Sequence, residues 1–170
     1  MNPLFHVRAV CFDWGGTLMS EQGGPDDVPM AQWPQVEAID GALACVQALS
    51  GRLPLAIATN ASVSRRPMIE LALSRVSLAR YFSHIFCFTE LGYRKSQVEF
   101  WRAVEQQLAV PLSAIAMIGD SYEQDAFYPR RFGAQAVWFN HAGKASRDEV
   151  AVPTVAALPT FAAWVMSAAA

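Results

Sequence analysis

Five apolar runs of strand length, at 7–12, 53–58, 84–88, 114–118 and 134–139, punctuate this chain. Between them lie stretches whose apolar residues recur at helical spacing. In 36–49, Ile39, Leu43, Val46 and Leu49 fall on one helical face; further helices are expected at 64–75, 96–108 and 124–132, and an apolar terminal helix from about Pro159. Short strands alternating with helices leave few architectures open. The pattern predicts an α/β fold, a doubly wound and mostly parallel sheet with helices on both faces. With 170 residues, 53% of them hydrophobic, and no internal repeat, residues 1–170 read as a single domain built on one sheet.

Charge excludes some partners. The formal net charge is −2, and the paired arginines Arg65-Arg66 and Arg130-Arg131 stand alone as helix-face charges, so no basic stripe suits nucleic acid or an acidic membrane surface. Cys11, Cys45 and Cys87 are far apart, odd in number and set in apolar surroundings, as expected of buried thiols in a reducing compartment. No leader-like segment or run of membrane-spanning length is present, so a cytoplasmic location is expected. His6, His84 and His141 have no partners at metal-ligand spacing.

Chemistry gathers where the predicted strands end. The first runs straight into Asp13-Trp14-Gly15-Gly16-Thr17. Ligands of parallel sheets bind beyond the carboxyl ends of the strands, so Asp13 reads either as a site acid or as a buried cap of the next helix. The second strand ends in Thr59-Asn60, where Thr59 suits a ligand hydroxyl or a helix cap. Lys95, one of two lysines in the chain, precedes the long helix at 96–108 and by itself reads as a surface residue. The fourth strand ends in Gly119-Asp120, with Asp125 five residues on, and two carboxylates there suit a hard cation. The segment 19–34, rich in Gly, Pro and Asp, lacks periodicity; beside such a site it reads as a flap-like loop over a substrate or as a surface excursion.

Taken in order, Asp13-x-Gly-Gly-Thr17, Thr59-Asn60, Lys95 and Gly119-Asp120-Ser121-(x)3-Asp125 resemble the four motifs of the haloacid dehalogenase-like (HAD) hydrolase superfamily, over about residues 7 to 140. That resemblance implies a HAD-like, Rossmann-type core and a phosphatase in which Asp13 attacks a phosphoryl group to form an aspartyl phosphate that water hydrolyses. It implies Mg²⁺ held by Asp13, Asp120 and the backbone carbonyl of Gly15, with Asp125 as a further ligand or supporting acid. Thr59, the Asn60 amide and Lys95 would bind the phosphoryl oxygens of a small or larger phosphorylated substrate.

One position departs from that pattern. Superfamily phosphatases usually carry a second Asp two residues after the nucleophile, as acid and base, and here it is Gly15. A general acid–base is worth roughly a hundred- to ten-thousand-fold. Glu21, Asp26 and Asp27 are the nearest candidates to replace it. The alternative is a catalytically weakened domain that binds a phosphorylated ligand or a protein partner. Asp13-Trp14-Gly15-Gly16-Thr17 is also similar to the first motif of phosphonoacetaldehyde hydrolases, and haloacid dehalogenases lack the second Asp too. Both use a helical cap carrying a lysine or arginine, whereas between Asp13 and Thr59 this chain holds only Arg52. A nearly capless domain is expected, with a site open to large substrates or closed by a second copy in a homodimer.

Overall fold

The computed structural model describes residues 1–145 and 151–169. Its strands are β1 (Ala9–Phe12), β2 (Leu55–Thr59), β3 (His84–Cys87), β4 (Ile115–Gly119), β5 (Gln135–Phe139) and the two-residue β6 (Thr154–Val155). They form one sheet in the order β3-β2-β1-β4-β5-β6, with every pair parallel. The chain builds outward from β1 to β3 on one side and from β4 to β6 on the other. The strand order therefore reverses between β1 and β4, the crevice where doubly wound sheets bind their ligands.

Side chains alternate across each strand and fill two different cores. Val10, Phe12, Ile57, Ala116, Ile118 and Val137 face helices α1 (Ala42–Leu49), α2 (Arg66–Arg75) and α6 (Leu158–Ala168). Ala9, Cys11, Ala56, Ala58 and Ala136 face the other way, onto helix α4 (Val98–Leu108). That second face is paved with small residues, and the buried Phe100 and Trp101 of α4 fill the space they leave. The short helices α3 (Phe88–Leu91) and α5 (Tyr128–Phe132) complete the framework. No helix among the described residues is long and apolar enough to cross a membrane.

Several boundaries differ from the sequence expectation. The helix predicted at 36–49 begins only at Ala42, after Gly41 turns the chain at φ 78°. The residues before it are extended: Ala38 pairs with Met19, Ser20 N–H donates to Glu37 O, and Ile39 N–H donates to Leu18 O. Leu43 is consequently exposed, and Ala42, Cys45, Val46 and Leu49 form the buried face. The helix expected near 124–132 opens as a π-helix, Tyr122–Phe127, before α5. The loop at 19–34 carries a 3₁₀ turn, Met30–Gln32, and is anchored inward by the buried Met30 and Trp33. Arg75 of α2 donates to the carbonyls of Ala31, Trp33 and Pro34, which ties its far end down.

Candidate active site

Asp13 sits just past β1, where its own N–H still donates to Ile118 O of β4 at 2.9 Å. It is 6% exposed. One carboxylate oxygen accepts from Lys95 Nζ at 2.7 Å, and the other accepts from Thr17 Oγ1 at 3.0 Å. Lys95, expected from sequence alone to be on the surface, is 2% exposed and donates also to Asp125 Oδ1 at 2.5 Å. A lysine is buried so deeply only when its charge is matched, and here two carboxylates match it.

Neighbouring groups hold this triad in place. Asn60 Oδ1 accepts from the Lys95 backbone N–H at 2.8 Å, and Asn60 Nδ2 donates to Gln124 Oε1 at 2.9 Å. The Lys95 carbonyl accepts from Trp101 Nε1 at 2.9 Å, so α4 fixes the segment before it. Ser121 N–H donates to Asp125 Oδ2 at 3.0 Å, inside the π-helix, a distortion that recurs at functional sites. Thr17 joins two strand ends: its hydroxyl donates to Asp13 and accepts from the Asp120 backbone N–H at 3.1 Å. Thr59 Oγ1 accepts from Ala61 N–H at 3.1 Å. Helix α2 starts at Arg66, with Arg65 at its N-cap position, so Thr59 does not cap it.

Asp13, Asp120 and Asp125 each offer a carboxylate oxygen within 4.8 Å of the others. Glycines make that approach feasible. A side chain on Gly16 would come within 2.8 Å of the Asp120 carboxylate, and one on Gly119 would overlap Asp125. Crowding shows in the acidities. Burial, then the charges of Asp13 and Glu21, push Asp120 up to about 6, with Lys144 opposing. Burial and the Asp13 charge raise Asp125 to about 7 against the pull of Lys95. For Lys95, burial works to lower the pKa, but Asp125 and Asp13 outweigh it and hold it above the ordinary lysine value. Glu21 is raised by burial and by Asp13 and Asp26, with Lys95 opposing. Cys11 and Cys45 are pushed up to about 12 by burial, so neither is a thiolate nucleophile.

These shifts set a pH dependence. Asp120 and Asp125 bind protons more tightly folded than at their ordinary value of 3.8, so their contribution to stability is complete below that value and is lost as pH rises toward 6 and 7. Thermal melts in chelator should therefore show stability falling between about pH 4 and pH 7, and Asp120→Asn should flatten part of that slope. Parallel slopes for wild type and variant would contradict the assigned crowding.

The carboxylates open into a cavity of about 540 Å³, lined on one side by Thr59, Asn60 and Gln124 and on the flap side by Glu21, Asp26, Met30 and Trp33. Asp27 is not among its lining residues. Thus the structure brings Asp13, Gly15, Thr59, Asn60, Lys95, Asp120 and Asp125 together around one space. Sequence reasoning missed the bridging role of Thr17, whose signal was a hydroxyl four residues after an acid. It also missed Gln124, which carried no signal at all.

A family model described as a haloacid dehalogenase-like hydrolase matches residues 26–133. No curated protein matches the sequence. Among solved structures the chain is similar to YfnB of Bacillus subtilis, described as a HAD-hydrolase bound to magnesium (17% identity, TM-score 0.75, 92% of this chain and 97% of that one). It is similar to a 2-haloacid dehalogenase from Pseudomonas syringae pv. Tomato DC3000 (16% identity, TM-score 0.77, 95% and 99%). It is likewise similar to a HAD phosphatase from Thermococcus onnurineus (15% identity, TM-score 0.77, 96% and 98%). At these identities the likenesses establish the fold.

Proposed function

From a chain that belongs to the haloacid dehalogenase-like hydrolases, we propose a Mg²⁺-dependent phosphomonoesterase that works through an aspartyl phosphate on Asp13. The observation that carries this reading is the Asp13 carboxylate itself: buried, oriented by Lys95 and Thr17, and facing a cavity beside two further carboxylates. That orientation supports attack by an Asp13 oxygen on phosphorus. Lys95 and Thr59 line the same cavity, where they are suited to hold phosphoryl oxygens.

The donor set fits the cation. Asp13, Asp120 and Asp125 offer hard oxygen ligands with no nitrogen or sulfur among them, the preference of Mg²⁺, and Gly15, whose carbonyl the resemblance adds, lines the same cavity. Bound there, the ion would neutralise charge on the transferring phosphoryl group. Asn60, with its side chain committed to Lys95 and Gln124, positions the lysine.

Haloacid dehalogenation fits less well. It needs a cation for the substrate carboxylate, and among the described residues the cation lining this cavity is Lys95, already bonded to two aspartates. The open cavity and flap admit a small or larger phosphorylated substrate, and closure by a second copy of the chain is compatible with them. Three buried free thiols support a reducing, cytoplasmic setting. Gly15 favours the alternative of a catalytically weakened binding domain.

A screen of phosphate monoesters with and without Mg²⁺ tests the reading; hydrolysis confined to the Mg²⁺ samples is expected. The ion should also stabilise the fold: at a hundred times its Kd, linkage gives about 2.7 kcal/mol, or about 5–10 °C in Tm for a chain of this size. Asp120→Ala should abolish the response. Equal Mg²⁺ affinity in the two proteins by calorimetry would place the ion elsewhere.

A further inference from the structure

We infer that Glu21, carried by the flap, is the general acid and base of this site and occupies the place that a side chain on Gly15 would take. The assignment rests on the phosphatase reading above. A Cβ on Gly15 would overlap Glu21 Oε1 and come within 3.1 Å of its Cδ and 3.2 Å of its Cγ. The carboxyl group that the motif lacks in sequence is thus present in space, brought back over Gly15 by a residue six positions on. Glu21 fills the space that a side chain at position 15 would need, so one position supplies the room and the other the acid.

The chain around Glu21 is held so that this placement is defined. Gly16 N–H donates to Met19 O, Ser20 N–H donates to Glu37 O at 2.9 Å, and Gln22 N–H donates to Ser20 Oγ at 3.2 Å. Met19 pairs with both Gly15 and Ala38. The root of the flap is therefore pinned to the loop that follows β1, and Glu21 is the first acidic residue beyond that root. Asp26 also lines the cavity, but no atom of it is among the three nearest to the Gly15 position.

The chemistry balances with these groups. As an Asp13 oxygen bonds to phosphorus, the bond from phosphorus to the leaving oxygen breaks, and Glu21 gives that oxygen its proton, releasing an alcohol. Glu21, now a carboxylate, takes a proton from the water that attacks the aspartyl phosphate. The bond between phosphorus and Asp13 then breaks, freeing phosphate and restoring both residues.

The test compares kcat/KM on an alkyl phosphate and on p-nitrophenyl phosphate, with Mg²⁺, for wild type, Glu21→Gln, Glu21→Ala and the double variant Gly15→Asp with Glu21→Ala. Nitrophenolate departs without a proton, so Glu21→Gln should lower kcat/KM on the alkyl ester by about a hundredfold or more while changing it little on the aryl ester. The second step still needs a base, so the same variant should release a burst of nitrophenolate before a slower steady state. In the double variant Asp at position 15 meets no Glu21 side chain, and it should recover part of the alkyl activity that Glu21→Ala loses. Equal losses on both esters, or a weakened Mg²⁺ affinity accounting for them, would overturn the assignment, as would no loss on either. A wild type inactive on both esters would overturn the phosphatase reading and this assignment with it.

Discussion

Asp13→Asn is expected to lower phosphatase kcat/KM by about ten-thousandfold or more, the scale on which enzymes lose activity when a nucleophile is removed. The amide keeps the shape of the side chain and removes its attacking oxygen anion. Stability should barely move. The variant takes away a charge that raises the pKa of both Asp120 and Asp125, which relieves repulsion, but it also removes one of the two partners of Lys95. These effects oppose, so melts in chelator should agree within a few degrees while turnover disappears. Turnover near the wild-type rate would exclude Asp13 as the nucleophile, whatever the melts show.

Lys95→Ala should produce the largest loss of stability in the site. Its ammonium is buried between Asp13 at 2.7 Å and Asp125 at 2.5 Å, and removing it leaves both carboxylates without a cation. Breaking a buried pair in this way costs about 3–5 kcal/mol, because the remaining charge stays desolvated. At about 2–4 °C per kcal/mol for a chain of this size, the Tm in chelator should fall on the order of 10 °C. If the same carboxylates hold Mg²⁺ as proposed, the ion should recover much of that deficit, whereas activity should stay low because a bound phosphoryl group would lose Lys95 as a cationic partner. An unchanged Tm in chelator would mean that the ion pairs add nothing net to stability.

The sheet was legible because its buried strands are built on short apolar runs, and those of β1, β2 and β4 lead directly into residues that line the cavity. Thus Asp13, Thr59 and Asp120 could be located from sequence. β6 was not legible: Thr154–Val155 is two residues long, with only Val155 buried, and makes no run. Residues 36–39 carry a helical spacing, yet pairing with 18–20 draws them out straight, a tertiary contact outweighing a local preference. Lys95 has a surface residue's local context, and only the convergence of β1, the π-helix and α4 shows that it is buried. Glu21 was one of three candidate acids in the flap. Nothing in the order of residues says which one folds back over Gly15; the pairing at the flap's root decides it.

The most direct measurement is acid quenching of a single turnover with a phosphate ester carrying a radiolabelled phosphoryl group, followed by counting of protein-bound label. Wild type should retain label in acid and release it to hydroxylamine, as an acyl phosphate does, and Asp13→Asn should retain none. Phosphate appearing throughout the turnover with no label ever bound to the protein would contradict covalent catalysis by Asp13.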